Sequence, residues 1–311
     1  MRAVVLGGSG FLGRHICAAL EHAGIPALPV SRSSAVAIDL EDAAGPARLT
    51  ALLAAERAEL VVNAAGRAWR ASEEQMTRGN AELVDRLLGA LTALPGRAPR
   101  LVHLGSVHEY GPGAAGVGTA EDDPARPVTP YGRSKLLGTE SVLRAARNGG
   151  PAGVVLRVAN VSGPGTPAGS LLRLVADHLA EAARTRDAGG TPAALRFGSL
   201  GVRRDFVDAR DVADAVLAAA LAPASAVAGQ IVNIGRGEAV PARRLVARMV
   251  ALSGLPVPVV EDEGQDEGQG GGGSRSAVGW QQLDISKARR LLGWRPIRDL
   301  DTSMRDLLEA A

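Results

Sequence analysis

The chain has 311 residues, 46% of them hydrophobic and 22% charged, an ordinary globular composition for one large domain or two unequal ones. A formal charge of +2 spread over scattered arginines argues against a nucleic-acid surface. The single cysteine, Cys17, excludes an internal disulfide and a cysteine metal cage, and no apolar run of about 18 residues reads as a membrane span.

MRAVVLGG enters a buried strand, Ala3–Leu6, and a turn, rather than a signal peptide, so a cytoplasmic enzyme is expected. Further apolar runs follow at Ala27–Val30, Leu60–Asn63, Leu101–Leu104 and Val154–Arg157, rich in Val and Leu on both faces. Between them, Gly13–Ala23, Glu74–Leu94 and Tyr131–Arg147 carry helical periodicity. Such alternation predicts an α/β fold with a doubly wound parallel sheet covered on both sides. After residue 160, helical stretches at Ser170–Ala183, Asp211–Leu221, Ala242–Ser253 and Ile285–Leu292 are joined by short strands and glycine turns. The expected division is a cofactor domain over 1–165 and a smaller C-terminal α/β substrate lobe over 166–311. The chain is expected to return to the main sheet near 202–235, at Gly229–Ile234. Residues 262–276, acidic and then glycine-rich, predict a flexible loop.

The segment VVLGGSGFLGRH puts Gly7, Gly10 and Gly13 between the first strand and its helix. Glycines there allow a tight turn and let backbone N–H groups approach a pyrophosphate at the helix N-terminus, which makes the sheet Rossmann-type. At the end of the second strand, a site for NAD(H) wants an acid for the ribose 2′-hydroxyl. This chain has Ser31, Arg32 and Ser33, with no acid before Asp39. A guanidinium and two hydroxyls suit a 2′-phosphate, so NADP(H) is expected, with Asp39 and Leu40 near the adenine.

Reactive groups concentrate in LGSVHEYG and VTPYGRSK. Only two lysines, Lys135 and Lys287, occur among 35 basic residues, and Tyr110 and Tyr131 are the only tyrosines. Tyr131 and Lys135 stand at i and i+4 on one helix face. An ammonium beside a phenol favours the phenolate and lowers its pKa from about 10. Such a pair can exchange a proton with a substrate oxygen, which Ser106, at the end of the fourth strand, is placed to hold.

Together these segments resemble the extended short-chain dehydrogenase/reductase family, the nucleotide-sugar epimerases, dehydratases and reductases, over almost the whole chain. GGSGFLG matches the family's cofactor loop, which implies Gly7, Gly10, Phe11, Leu12 and Gly13 as cofactor residues. VVNAAG matches the third-strand end (Ala64, Ala65, Gly66), and GNAELVDRLL the helix bearing Asn80. GSVHEYG and YGRSK match the catalytic strand and helix, with 25 positions from Ser106 to Tyr131 (131 − 106). LRVANVSGPG implies Val158 beside the cofactor and Asn160 facing substrate. RRDFVDARDVADAV, GQIVNIGRG and DISKARRLLGWRP match second-lobe elements of members that act on nucleoside-diphosphate sugars. The resemblance implies Tyr131 as acid/base, Lys135 as its partner on the nicotinamide ribose, and Ser106 as the carbonyl's hydrogen-bond donor. It implies Arg204, with Arg203 as a substitute, and Arg275 as diphosphate ligands. It also implies a homodimer through the helices of Glu74–Leu94 and Tyr131–Arg147.

The family's dehydratases carry an Asp–Glu pair after the serine or threonine, where this chain has Val107 and His108; a valine cannot move a proton, which argues against elimination. Related decarboxylases use a glutamate at the second position, also absent. Val107 and His108 are expected against the sugar, and Glu109 on the opposite face of a strand. An epimerase returns its hydride and can keep NAD, whereas a reductase needs replenished NADPH. The SRS segment therefore favours a reductase. GSVHEYG and the Trp69–Arg70 pair look like the 4-ketoreductases of deoxysugar and antibiotic biosynthesis, with Trp69 against the sugar. The expected reaction is NADPH-dependent 4-keto reduction of a nucleotide-activated, TDP-linked 4-keto-6-deoxyhexose. An NAD-holding NDP-sugar 4-epimerase and a non-catalytic cofactor-binding regulator are the alternatives.

Overall fold

The structure is a computed structural model that describes residues 1–68, 71–261 and 279–311. The first half runs β1 (Ala3–Leu6), α1 (Phe11–His22), β2 (Ala27–Ser31), β3 (Val36–Ala37), α2 (Gly45–Ala55), β4 (Leu60–Asn63) and α3 (Glu73–Thr77). A π turn (Arg78–Glu82) then leads into α4 (Leu83–Thr92), β5 (Arg100–Ser106), a 3₁₀ turn (Val107–Glu109), α5 (Pro130–Arg147) and β6 (Gly153–Val158). The second half runs β7 (Asn160–Ser162), α6 (Leu171–Asp187), β8 (Leu195–Phe197), β9 (Arg203–Asp208), α7 (Ala209–Leu221), α8 (Ala224–Val227) and β10 (Ile231–Ile234). It closes with β11 (Ala239–Pro241), α9 (Ala242–Ser253), β12 (Val259–Glu261), α10 (Ser286–Leu292) and α11 (Leu300–Glu309).

Seven strands form the main sheet in the order β10-β6-β5-β4-β1-β2-β3, all parallel. The chain winds outward from β1 to β3 and then returns to the other side of β1 with β4. The carboxyl ends of β1 and β4 therefore flank the crevice where an open α/β sheet receives its ligand. β1 and β4 are buried at every position, as AVVL and LVVN require of strands covered on both faces. On one side Ile16 and Leu20 of α1 share a core with Val212 and Val216 of α7. On the other, Leu49 and Leu53 of α2 pack with Val84, Leu87 and Leu91 of α4. The second core gathers Leu172, Val175, Leu179, Leu245, Met249, Met304 and Leu307 from α6, α9 and α11.

The expected return to the main sheet is made by β10, beside β6. β9, in the same 202–235 stretch, pairs instead with β7 and β11 in a separate three-stranded sheet. The helix expected over Glu74–Leu94 begins with a capping box, Ser72 with Gln75, and is interrupted by the π turn. That turn places Asn80 inward, 1% exposed, in keeping with the habit of π turns to occur at functional positions. Among the described residues no helix is long and apolar enough to cross a membrane.

Candidate active site

The loop after β1 closes on bare backbone. Gly7 has φ +73°, and a Cβ there would meet the backbone of Ala64 at 2.8 Å; a Cβ on Gly13 would meet the Gly7 carbonyl at 2.1 Å. Glycine is thus required for the turn and for the approach of α1 to the sheet. The resulting cleft is lined by Gly7, Gly10, Ser31, Arg32, Ser33, Asp39, Leu40, Ala64, Ala65 and Gly66, all expected from the sequence. Phe11 and Leu12 form the first turn of α1 and are half-buried, Leu12 against the main core.

At the end of β2 three hydroxyls cluster. Ser9 Oγ donates to Ser31 Oγ at 2.8 Å and lies 3.4 Å from Ser33 Oγ. Arg32 stands exposed beside them. Asp39 is turned to its own backbone, accepting from the Glu41 amide at 2.9 Å. Glu41 is neutralised by Arg67, 2.7 Å away. Asn80 brackets Arg67: its Oδ1 accepts from the Arg67 amide at 2.8 Å, and its Nδ2 donates to the Arg67 carbonyl at 2.8 Å and to Ser134 Oγ at 2.9 Å. Sequence reasoning missed Ser9 and Arg67. Ser9 was readable, because it sits inside the glycine loop; Arg67 carried no signal among so many arginines. A phosphate-seeking loop, a helix N-terminus and a hydroxyl–guanidinium cluster form a donor set that fits an adenine dinucleotide.

Ser106 ends β5, and Tyr131 stands in the first turn of α5. Thr129 caps that helix by accepting from the Gly132 amide at 3.0 Å, with Pro130 at its first position. The cap fixes the start of the helix, and the i, i+4 spacing then brings Tyr131 and Lys135 to the β5 side. Ser106 and Tyr131 are joined by a side-chain hydrogen bond. Lys135 is 5% exposed and its Nζ donates to the Leu104 carbonyl at 2.5 Å. The His108 ring meets Tyr131 edge to face at 5.7 Å.

Burial, not the neighbouring ammonium, dominates the phenol. It pushes the Tyr131 pKa up to about 12, with the Ser106 hydrogen bond opposing and Glu109 adding to the rise. The expected lowering by Lys135 is therefore corrected: desolvation of the phenolate raises the pKa instead. Burial also lowers the Lys135 pKa to about 8, against the pull of Glu109. His108 falls to about 4 through burial and then the charge of Arg204. At neutral pH the cluster holds a protonated phenol, a charged lysine and a neutral imidazole, so it is loaded to donate a proton.

On the second-lobe side, Asn160 Nδ2 donates to the Asp205 carbonyl at 3.0 Å and lies 3.5 Å from Gln281 Oε1. Arg204 is half-buried and acts on His108, whereas the Arg203 guanidinium stacks over Trp280 at 5.4 Å. Of the doubled arginines, Arg204 is the one brought to the reactive cluster. Val158 ends β6 beside Ser106, 5% exposed. Two expectations fail because residues 107–109 form a 3₁₀ turn instead of continuing the strand. Val107, expected against the sugar, is 2% exposed and packs in the main core. Glu109, expected across a strand, is wholly buried beside Ser106, whose amide it accepts at 2.8 Å. Trp69, Arg70, Arg275 and the whole of the expected flexible loop, 262–276, lie outside the described residues.

Residues 3–235 match the NAD dependent epimerase/dehydratase family, and the chain belongs to that family. With this sheet and cluster it is an NAD(P)-dependent oxidoreductase of the extended short-chain type. It is 44% identical to a dTDP-6-deoxy-L-talose 4-dehydrogenase (NAD(P)(+)) of Kitasatospora kifunensis, over 99% of this chain and 95% of that one. It is also 30% identical to a UDP-glucose 4-epimerase of Azospirillum brasilense, over 99% of this chain and 91% of the relative. Among solved structures, RMD from Pseudomonas aeruginosa complexed with NADPH superposes with a TM-score of 0.84 at 24% identity, over 99% of this chain and 98% of that one. That likeness is one of fold.

Proposed function

We propose that the chain catalyses NADPH-dependent reduction of the 4-keto group of a nucleotide-activated 4-keto-6-deoxyhexose, with TDP as the nucleotide. The observation that carries this reading is the proton-loaded Ser106–Tyr131–Lys135 cluster with no carboxylate at Val107 or His108 to drive elimination. Bound NADPH supplies the hydride. Ser106 donates a hydrogen bond to the carbonyl oxygen, and Tyr131 gives that oxygen its proton as negative charge develops there. Lys135 holds positive charge beside the phenol, and Arg204 with Asn160 orients the diphosphate and sugar. The hydroxyls of Ser9, Ser31 and Ser33 with Arg32 support selection of the 2′-phosphate. A relative named as a 4-dehydrogenase catalyses the same exchange in the opposite direction, which supports C4 as the reacting carbon. The test is incubation of the purified protein with NADPH and a TDP-4-keto-6-deoxyhexose. NADPH oxidation matched by formation of a 4-hydroxy sugar is expected. Protein that carries tightly held NAD⁺ and interconverts C4 epimers without net oxidation would overturn the reading in favour of the epimerase.

A further inference from the structure

Glu109 belongs to no step of the reaction, yet the local structure is arranged around it. It is 0% exposed. One carboxylate oxygen accepts the Ser106 amide at 2.8 Å, and the other accepts Arg157 Nε at 2.7 Å, with that arginine side chain 4% exposed. Gly105 makes the room: a Cβ there would meet Glu109 Oε1 at 2.7 Å. The Arg157 guanidinium lies over the Tyr110 ring at 4.3 Å, and Tyr110 Oη donates to Asn233 Oδ1 at 2.8 Å. Asn233 Nδ2 in turn donates to the carbonyls of Thr119, at 2.9 Å, and Asp284, at 3.2 Å. A continuous polar chain thus runs from the Ser106 backbone to the segment that precedes α10.

We propose that Glu109 is a positioning residue: its carboxylate fixes Ser106 through the backbone amide and brings a buried negative charge to the Tyr131–Lys135 pair. The inference rests on the roles proposed for Ser106, Tyr131 and Lys135. The other charged groups on elements packed against α5 are spoken for. Glu73 of α3 pairs with Arg133, Arg78 of the π turn with Glu74, and Asp85 of α4 with Arg144, all at exposed positions. Glu82 of the π turn is exposed, Arg86 of α4 donates to the Leu40 carbonyl at 2.9 Å, and Arg100 of β5 donates to the carbonyls of Ala219, Ala220 and Ala222. His103 of β5 and His108 are held neutral by burial, and Arg157 of β6 is bound to Glu109 itself. Among the described residues, Glu109 is the carboxylate that acts on both Tyr131 and Lys135, and it favours the protonated form of each.

The scarcity of lysine makes this measurable without substrate. Protein labelled at lysine Cε gives a carbon NMR signal for Lys135 and one for Lys287, assigned with Lys287→Arg. In the unmodified protein the Lys135 signal titrates near pH 8. In Glu109→Gln its midpoint falls by roughly one pH unit, because a stabilising negative charge is gone. The alkaline limb of kcat/KM, which reports the free enzyme, moves the same way, and kcat drops roughly tenfold while NADPH affinity, read by fluorescence titration, stays unchanged. An unmoved Lys135 titration, or kcat and pH profile equal to those of the unmodified protein, overturns the proposal. If the glutamine variant does not fold, Glu109→Gln with Arg157→Met removes the stranded guanidinium and is judged by the same titration. Absence of turnover on any 4-keto sugar counts against the proposed substrate alone, since the lysine titration needs none.

Discussion

The end of β2 and the end of β5 lie in one sheet, yet they treat charge in opposite ways. At β2, Arg32 and Ser33 are exposed and Ser31 is half-buried. At β5, Ser106, Glu109 and Lys135 are 6%, 0% and 5% exposed. The same pair of charges 4 Å apart interacts by about 1 kcal/mol in water and about 4 kcal/mol at the effective dielectric of a protein. The β2 end can therefore bias a choice between similar ligands by small, salt-sensitive increments. The β5 end sets whether a proton is present at all.

The largest effect is expected where that proton sits. Tyr131→Phe removes the proposed proton donor while leaving a ring of the same shape beside His108. A loss of about 10³-fold in kcat is expected, with NADPH affinity retained. A phenylalanine variant with near-normal turnover would place the proton donor elsewhere. Lys135→Arg comes next. It keeps the charge but puts a planar, forked head where a compact ammonium is buried against the Leu104 carbonyl. A loss of about 10²-fold in kcat/KM follows from the lost geometry. If arginine reduces substrate normally, charge alone suffices at that position and the contrast in burial has no catalytic meaning.

Arg32→Ala acts at the exposed end and changes less. The ratio of kcat/KM for NADPH to that for NADH should fall about tenfold, the scale of one or two charge-assisted hydrogen bonds. The fall should shrink as salt rises from 0.05 to 0.5 M, on the order of a Debye length collapsing onto the contact. A ratio unchanged by the substitution would assign cofactor choice to the three serines.

The two ends also differed in how readable they were. Ser106, Tyr131 and Lys135 stood out because their types are scarce in this chain and their spacing matches a helix face. β1, β4 and α9 were legible to the residue, since continuous apolar runs and a clear periodicity define them. β3, at two residues, is too short to carry a period, and α2 opens with glycine and proline in an alanine-rich stretch that offers little polar contrast. α11 left a signal that went unused: Asp299 caps it by accepting the Thr302 amide at 2.7 Å. Glu109 was misread for a structural reason. Alternation holds along a strand, but the chain leaves β5 at Ser106, and a 3₁₀ turn brings the third residue back under the first. The π turn that carries Asn80 has no sequence period of its own, so the helix was read straight through it.

The smallest effect is expected at Arg133, which lies between Tyr131 and Lys135 in the sequence. Two residues on from Tyr131 along α5, it is turned about 200° away at the helical pitch. Its guanidinium meets Glu73 at 2.8 Å with the two side chains 46% and 61% exposed. Exposed pairs of this kind contribute about 0–1 kcal/mol, because water competes and two long side chains must be ordered. Arg133→Ala should therefore leave kcat, KM and the NADPH dissociation constant within about twofold and lower stability by at most about 1 kcal/mol, read by urea unfolding. A tenfold loss of turnover here would mean that the solvent-facing side of α5 takes part in the reaction, and the division between a buried end that moves protons and an exposed end that selects would have to be redrawn.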